Sequence, residues 1–82
     1  MPKYTETEIE EKTDDVVIDI IKILEEWYPV TMIKIIQQIQ EETQREIKEK
    51  TDDVVIDMIK ILEESYPVTM IRIIEQIQEE GE

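Results

Sequence analysis

Neither cysteine nor histidine occurs among the 82 residues, so disulfides, thiolate metal sites and the commonest neutral-pH base are all excluded. Alanine, asparagine and phenylalanine are missing too, glycine occurs once, and isoleucine dominates the apolar set. Positive charge is scarce. Nine basic residues face twenty-two acidic ones, a net charge of -13, and such a chain repels nucleic acid phosphates and anionic lipid surfaces. No nucleic acid or membrane partner is expected. No apolar run approaches the ~18 residues of a transmembrane helix, and the opening Met-Pro-Lys-Tyr-Thr-Glu lacks the basic and apolar regions of a signal peptide. The expectation is a soluble protein, cytosolic if expressed in a cell. A chain this short buries only about 60% of the surface it exposes when unfolded, which leaves a narrow stability margin unless a second chain adds to it.

What is present is a repeat. Glu11 to Glu42 reads EKTDDVVIDIIKILEEWYPVTMIKIIQQIQEE, and Glu49 to Glu80 reads EKTDDVVIDMIKILEESYPVTMIRIIEQIQEE. The two differ at four places: Ile20/Met58, Trp27/Ser65, Lys34/Arg72 and Gln37/Glu75. Weaker matching upstream aligns Thr5, Glu8 and Ile9 with Thr43, Glu46 and Ile47, so residues 1–82 form one domain of two 38-residue repeats, 5–42 and 43–80. Near-identity on this scale points to recent duplication or deliberate construction.

Each copy predicts a helical hairpin. Thr13 is a good N-cap, Asp14 and Asp15 place negative charge at the positive end of the helix dipole, and Val16, Val17, Ile20, Leu24 and Trp27 recur at helical spacing. Asp15, Asp19, Lys22 and Glu26 draw one solvated stripe. In YPVT, Pro29 cannot continue the hydrogen bonding and restricts Tyr28 before it. Thr31 is then expected to cap the next helix, with Val30 and Ile35 as a hydrophobic staple. Met32, Ile33, Ile36 and Ile39 would form that helix's apolar side. Upstream, Thr5 and Glu8 form a capping box and Tyr4 and Ile9 a second staple, so the first helix could begin near Thr5 and run through Thr13 with little to bury.

The boundary residues expected are Thr13, Pro29, Thr31, Thr51, Pro67 and Thr69. The expected core is Val17, Ile20, Leu24, Ile36 and Ile39, with Val55, Met58, Leu62, Ile74 and Ile77 from the second copy. The fold class is all-α. Two arrangements of the hairpins compete at the junction, where Ile47 is the one apolar residue between Ile39 and Val54. Thr51-Asp52-Asp53 repeats the N-cap signal, with Lys48 and Lys50 placed like the end of a preceding helix. A break there gives an up-down-up-down four-helix bundle with both YPVT turns at one end. No Gly or Pro forces a break, however, and Ile36, Ile39, Thr43, Ile47, Thr51, Val54, Met58 and Ile61 make a thin stripe at spacings of three and four. A continuous helix from Met32 to Ser65 would give a short-long-short chain that pairs as a swapped homodimer, and the unpunctuated hinge favours it.

Ile and Val also favour strands, so a ferredoxin-like βαββαβ alternative is weighed, with TETEIEE and VTMIKIIQQIQ as strands of the first copy. Its central strands would need apolar faces, and TETEIEE and TQREIKE offer one Ile each. The odd alphabet and the repeat resemble those of a de novo designed or engineered tandem helical-hairpin protein. Around TDDVVIDMIKILEE the doubled pattern also resembles the helix-strand-helix duplication of histone folds. That resemblance implies paired chains, but the basic residues by which histones hold DNA are missing. IIKILEEWYPVTMIKIIQQI is similar to the first two helices of a winged helix-turn-helix module, yet the following EETQREIKEK is more acidic than basic, so DNA reading is not expected.

Candidate sites are few. Asp14, Asp15, Asp19 and their copies Asp52, Asp53 and Asp57 could be imagined as calcium ligands, but they fall on helix starts without a Gly-containing loop, and capping explains them better. No pocket, nucleophile or base accompanies the carboxylates, so no enzyme, cofactor, metal or small-molecule substrate is expected. Gln37, Gln38 and Gln40 could edge a partner groove but suit a solvated face. Trp27 is an interface anchor, a residue at the core rim, or a spectroscopic handle placed in one copy of a made protein. The function expected is a non-catalytic scaffold that folds and self-associates through apolar helix faces. The alternative is an acidic helical binding module for a basic partner.

Overall fold

The computed structural model describes residues 3–80. Five helices and no strand occur among them: α1 (Glu6–Glu11), α2 (Asp14–Trp27), α3 (Pro29–Thr43), α4 (Asp52–Ser65) and α5 (Pro67–Glu80). The fold is all-α, and the stretch that the ferredoxin-like alternative needed as a strand, Val30 to Gln40, lies wholly inside α3.

α1 starts as the capping box requires: the Thr5 hydroxyl accepts the Glu8 backbone N–H at 3.2 Å. It does not run on through Thr13. Lys12 turns into the left-handed region at φ 54°, with its N–H on the Ile9 carbonyl at 3.2 Å and the Thr13 N–H on the Glu8 carbonyl at 3.4 Å. That pair of bonds is a Schellman motif, with lysine where glycine usually sits. The segment also buries more than its acidic sequence suggested, since Tyr4 and Ile9 both join the core.

α2 and α3 are separated by one residue. Tyr28 takes φ −132° and ψ 53°, donates to the Leu24 carbonyl at 3.0 Å and accepts the Met32 N–H at 3.0 Å. Pro29 lacks an N–H and disfavours helical geometry at the residue before it, so the chain turns there and α3 restarts with proline at its first position. Tyr66 repeats the same angles between α4 and α5. Thr31 and Thr69 therefore lie inside helices and cap nothing. Val30 is 63% exposed and staples nothing to Ile35. Thr13, Thr51, Pro29 and Pro67 do mark boundaries, although neither Thr13 nor Thr51 makes a side-chain capping bond.

The junction breaks. α3 stops at Thr43, and Gln44 turns left-handed at φ 55°, its N–H on the Gln40 carbonyl at 2.7 Å. The continuous helix from Met32 to Ser65 is not formed, and each apolar half finds its partner within the chain. α2 packs on α5 and α3 on α4, while α2–α3 and α4–α5 meet around their one-residue corners. Lys48 and Lys50 cap no helix; Lys50 instead reaches Glu25 at 3.0 Å.

The two copies are interlocked, with equivalent residues buried alike. Val16, Ile20, Leu24, Ile35 and Ile39 are fully buried with Met58, Leu62, Ile73 and Ile77, and Val54 nearly so. Each such side chain contributes about 1.5–3 kcal/mol by leaving water. Of the core expected from sequence, Ile20, Leu24, Ile39, Met58, Leu62 and Ile77 are buried, whereas Val17, Ile36, Val55 and Ile74 are only half-buried. α3 uses Met32, Ile35 and Ile39, leaving Ile33 55% exposed. The molecule is elongated, 43 × 21 × 20 Å.

Candidate interaction surface

Two ion pairs show how α2 and α4 lie. Lys12, just before α2, meets Glu63 near the end of α4 at 3.3 Å; Lys50, just before α4, meets Glu25 near the end of α2 at 3.0 Å. α2 and α4 are therefore antiparallel, and the two YPVT corners lie at opposite ends of this pair, not at one end as an up-down-up-down bundle would place them. A shift of 38 residues carries Lys12 to Lys50 and Glu25 to Glu63, so the two bonds are one bond written twice about an internal pseudo-dyad.

Between the ion pairs lies an apolar face. Val17, Ile21, Val55 and Ile59 line it, and Ile18 and Ile56 stand beside them, each 52% exposed. The surface dips into two shallow hollows, of about 310 and 400 Å³, that share Val17 and Val55. Most rim charges are lysines: Lys12, Lys22, Lys50 and Lys60 against Glu11, Glu25 and Glu63. Four positive against three negative charges make the lining of these hollows nearly balanced on a chain of net charge -13. Sequence reasoning had placed Val17 and Val55 in the core. The clue available was that α2 is apolar over more of its circumference than its neighbours cover: Ile21 is buried, Val17 is only half-buried and Ile18 is exposed.

The other large exposed apolar residues gather where α3 and α5 begin: Val30 and Ile33 in one copy, Val68 and Ile71 in the other. Trp27, at 64% exposure, is not at a core rim but on the surface beside the first corner.

A polar cluster occurs in the first copy only. The Tyr4 hydroxyl donates to the Asp19 carboxylate and lies 3.3 Å from the Asp15 carbonyl, and the Lys3 ammonium sits 3.1 Å from the same carboxylate. Partial burial pushes the Asp19 carboxyl up, but the Tyr4 and Lys3 bonds together outweigh it and hold the group below the usual carboxylate range. The bond to Asp19 raises Lys3, and burial first and then the Asp19 bond raise Tyr4. In the second copy Glu41 and Glu42 occupy the positions of Lys3 and Tyr4, so Asp57 has no such partners at the equivalent positions.

Asp14, Asp15, Asp52 and Asp53 stand in the first turns of α2 and α4. Among the described residues no group of three or more acids is placed to hold a metal ion. No described helix is long and apolar enough to cross a membrane. Gln37 is exposed, Gln38 and Gln40 are half-buried, and Gln38 reaches Glu42 on its own helix at 3.4 Å.

The fold and surface define an all-α protein of two interlocked helical units whose clearest feature is a pseudo-symmetric apolar face. Comparison with protein-family models, curated proteins and solved structures finds no match to this chain.

Proposed function

We propose that this chain is a non-catalytic structural scaffold, designed or engineered by duplicating one helical unit, that self-associates through apolar helix faces. One observation carries the proposal: apolar side chains are left exposed in matched pairs, Ile18 with Ile56, Val30 with Val68 and Ile33 with Ile71. A single exposed isoleucine needs no explanation, but Ile18 and Ile56 share one face with Val17, Ile21, Val55 and Ile59, and adjoining exposed apolar side chains are the mark of association surfaces. Light scattering at micromolar concentration tests it. A mass of twice 9.8 kDa is expected, and 9.8 kDa at every concentration up to ~1 mM would overturn it.

Charge favours a second reading, an acidic helical module for a basic partner. No charged side chain is buried among the described residues, so nearly all the negative charge faces outward. Salt-sensitive capture of a basic peptide, with the chain itself remaining monomeric, would establish this reading in place of the first.

A further inference from the structure

Resting on the self-association reading, we propose that the dimer forms through the α2/α4 face, with a second copy docked so that its own α2/α4 face covers the first. Three observations select this face over the other exposed apolar pairs.

The first is charge. Two chains of net charge -13 repel wherever their acidic surfaces approach, and the cost of bringing like charges together falls on any interface built from average surface. The α2/α4 face is nearly balanced locally, with four lysines against three glutamates lining its hollows, so two copies facing each other there bring little net charge together. A copy that docks there leaves most of the acidic surface of both chains outside.

The second is symmetry. A closed dimer uses the same patch on both subunits, so residue i contacts j while j contacts i. The α2/α4 face is already doubled by the internal pseudo-dyad, with Ile18 and Ile56 equally exposed on it. Each favourable contact found by one copy is therefore available again at the equivalent position.

The third is shape. The hollows of about 310 and 400 Å³ lie side by side and are lined by branched aliphatic side chains. Ile18 and Ile56 of a second copy, half-exposed and branched aliphatic, are of the kind to enter them.

The test compares two double variants by sedimentation equilibrium, with circular dichroism as the check on folding. Ile18→Glu/Ile56→Glu alters exposed positions and should keep its helicity while weakening the dimer at least about a hundredfold, since buried aliphatic anchors become charges. Ile33→Glu/Ile71→Glu, with the same chemistry on the other exposed pair, should leave the dimer constant within about threefold. If the second variant dissociates the dimer and the first does not, this interface is wrong and self-association still stands. If the unaltered chain is monomeric, the self-association reading itself fails and takes this interface with it. Should Ile18→Glu/Ile56→Glu lose helicity, Lys22→Glu/Lys60→Glu asks the same question from the rim. It should weaken the dimer at least tenfold at low salt and recover in 0.5 M NaCl, whereas an unchanged dimer constant would overturn the proposal.

Discussion

The Lys50 ammonium lies 3.0 Å from the Glu25 carboxylate, a bond that joins the start of α4 to the end of α2 and has its repeat-related twin in Lys12 and Glu63 at 3.3 Å. Both pairs are exposed enough that water and salt screen them, so each is worth only about 0.2–1 kcal/mol. They report the direction of α4 against α2, which the buried core sets. The larger electrostatic effect is the repulsion within a chain of net charge -13, and salt relieves it. The melting temperature should therefore rise between 0.02 and 0.5 M NaCl at pH 7, followed by circular dichroism. A fall would show that the attractive pairs outweigh the net charge.

Leu24 and Leu62 occupy equivalent sites and are both fully buried. Truncating either leaves a cavity that the surrounding isoleucines can only partly close, at a cost of about 2–5 kcal/mol. That is a large part of the 4–12 kcal/mol typical of a domain this size. Because the packing is repeated, Leu24→Ala and Leu62→Ala should destabilise by the same amount within about 1 kcal/mol in urea unfolding. A difference larger than that would mean the two halves are not packed alike.

The helices were legible from local rules. Thr5 with Glu8, Thr13, Pro29 and Thr51 act over three or four residues, and each stands at or beside the boundary that its chemistry implies. Thr31 misled because a threonine after proline satisfies the same capping pattern, but proline is itself a good first residue and claimed the start of α3. Ile33 and Ile35 could not be told apart by residue type, since α3 carries apolar residues on several sides and only its crossing with α4 decides which are covered. The α2/α4 face was not legible for the same reason. Val17 reads as core until the direction of α4 is known, and that direction is set by packing between residues far apart in sequence, as the Lys12–Glu63 contact across 51 positions shows.

Gln44 carries the break that the junction's composition did not announce. It holds φ 55° and ψ 30°, a left-handed conformation that costs a residue with a side chain about 1–2 kcal/mol and costs glycine little. Glycine returns part of that gain through its greater freedom in the unfolded chain. Gln44→Gly should thus stabilise the fold by about 0.5–1 kcal/mol, a rise of roughly 2–8 °C in Tm for a domain of this size. Destabilisation instead would indicate that α3 continues through Gln44 in solution.

Tyr4 and Asp19 give the chain its one resolved dependence on acid. The carboxyl sits below its ordinary value of 3.8 because the Tyr4 hydroxyl and Lys3 ammonium outweigh the opposing effect of burial. A group depressed in the folded state stabilises it above the unfolded pKa, and the contribution disappears as pH falls through the folded one. The Tyr4 hydroxyl has the opposite sense: raised above 10.0, it supports the fold at neutral pH and is lost as pH climbs through its folded value. Tyr4→Phe keeps most of the buried ring but removes the donor. The Asp19 midpoint, followed by carboxyl carbon NMR, should then move upward, because burial persists while one of the two opposing bonds is gone. Some of the stability should be lost near pH 5, where the unfolded carboxylate is ionised, with the difference from the parent chain shrinking below pH 3. An Asp19 midpoint unchanged by Tyr4→Phe would show that the Lys3 ammonium alone holds the carboxyl down, and that Tyr4 anchors the N-terminal segment through its ring.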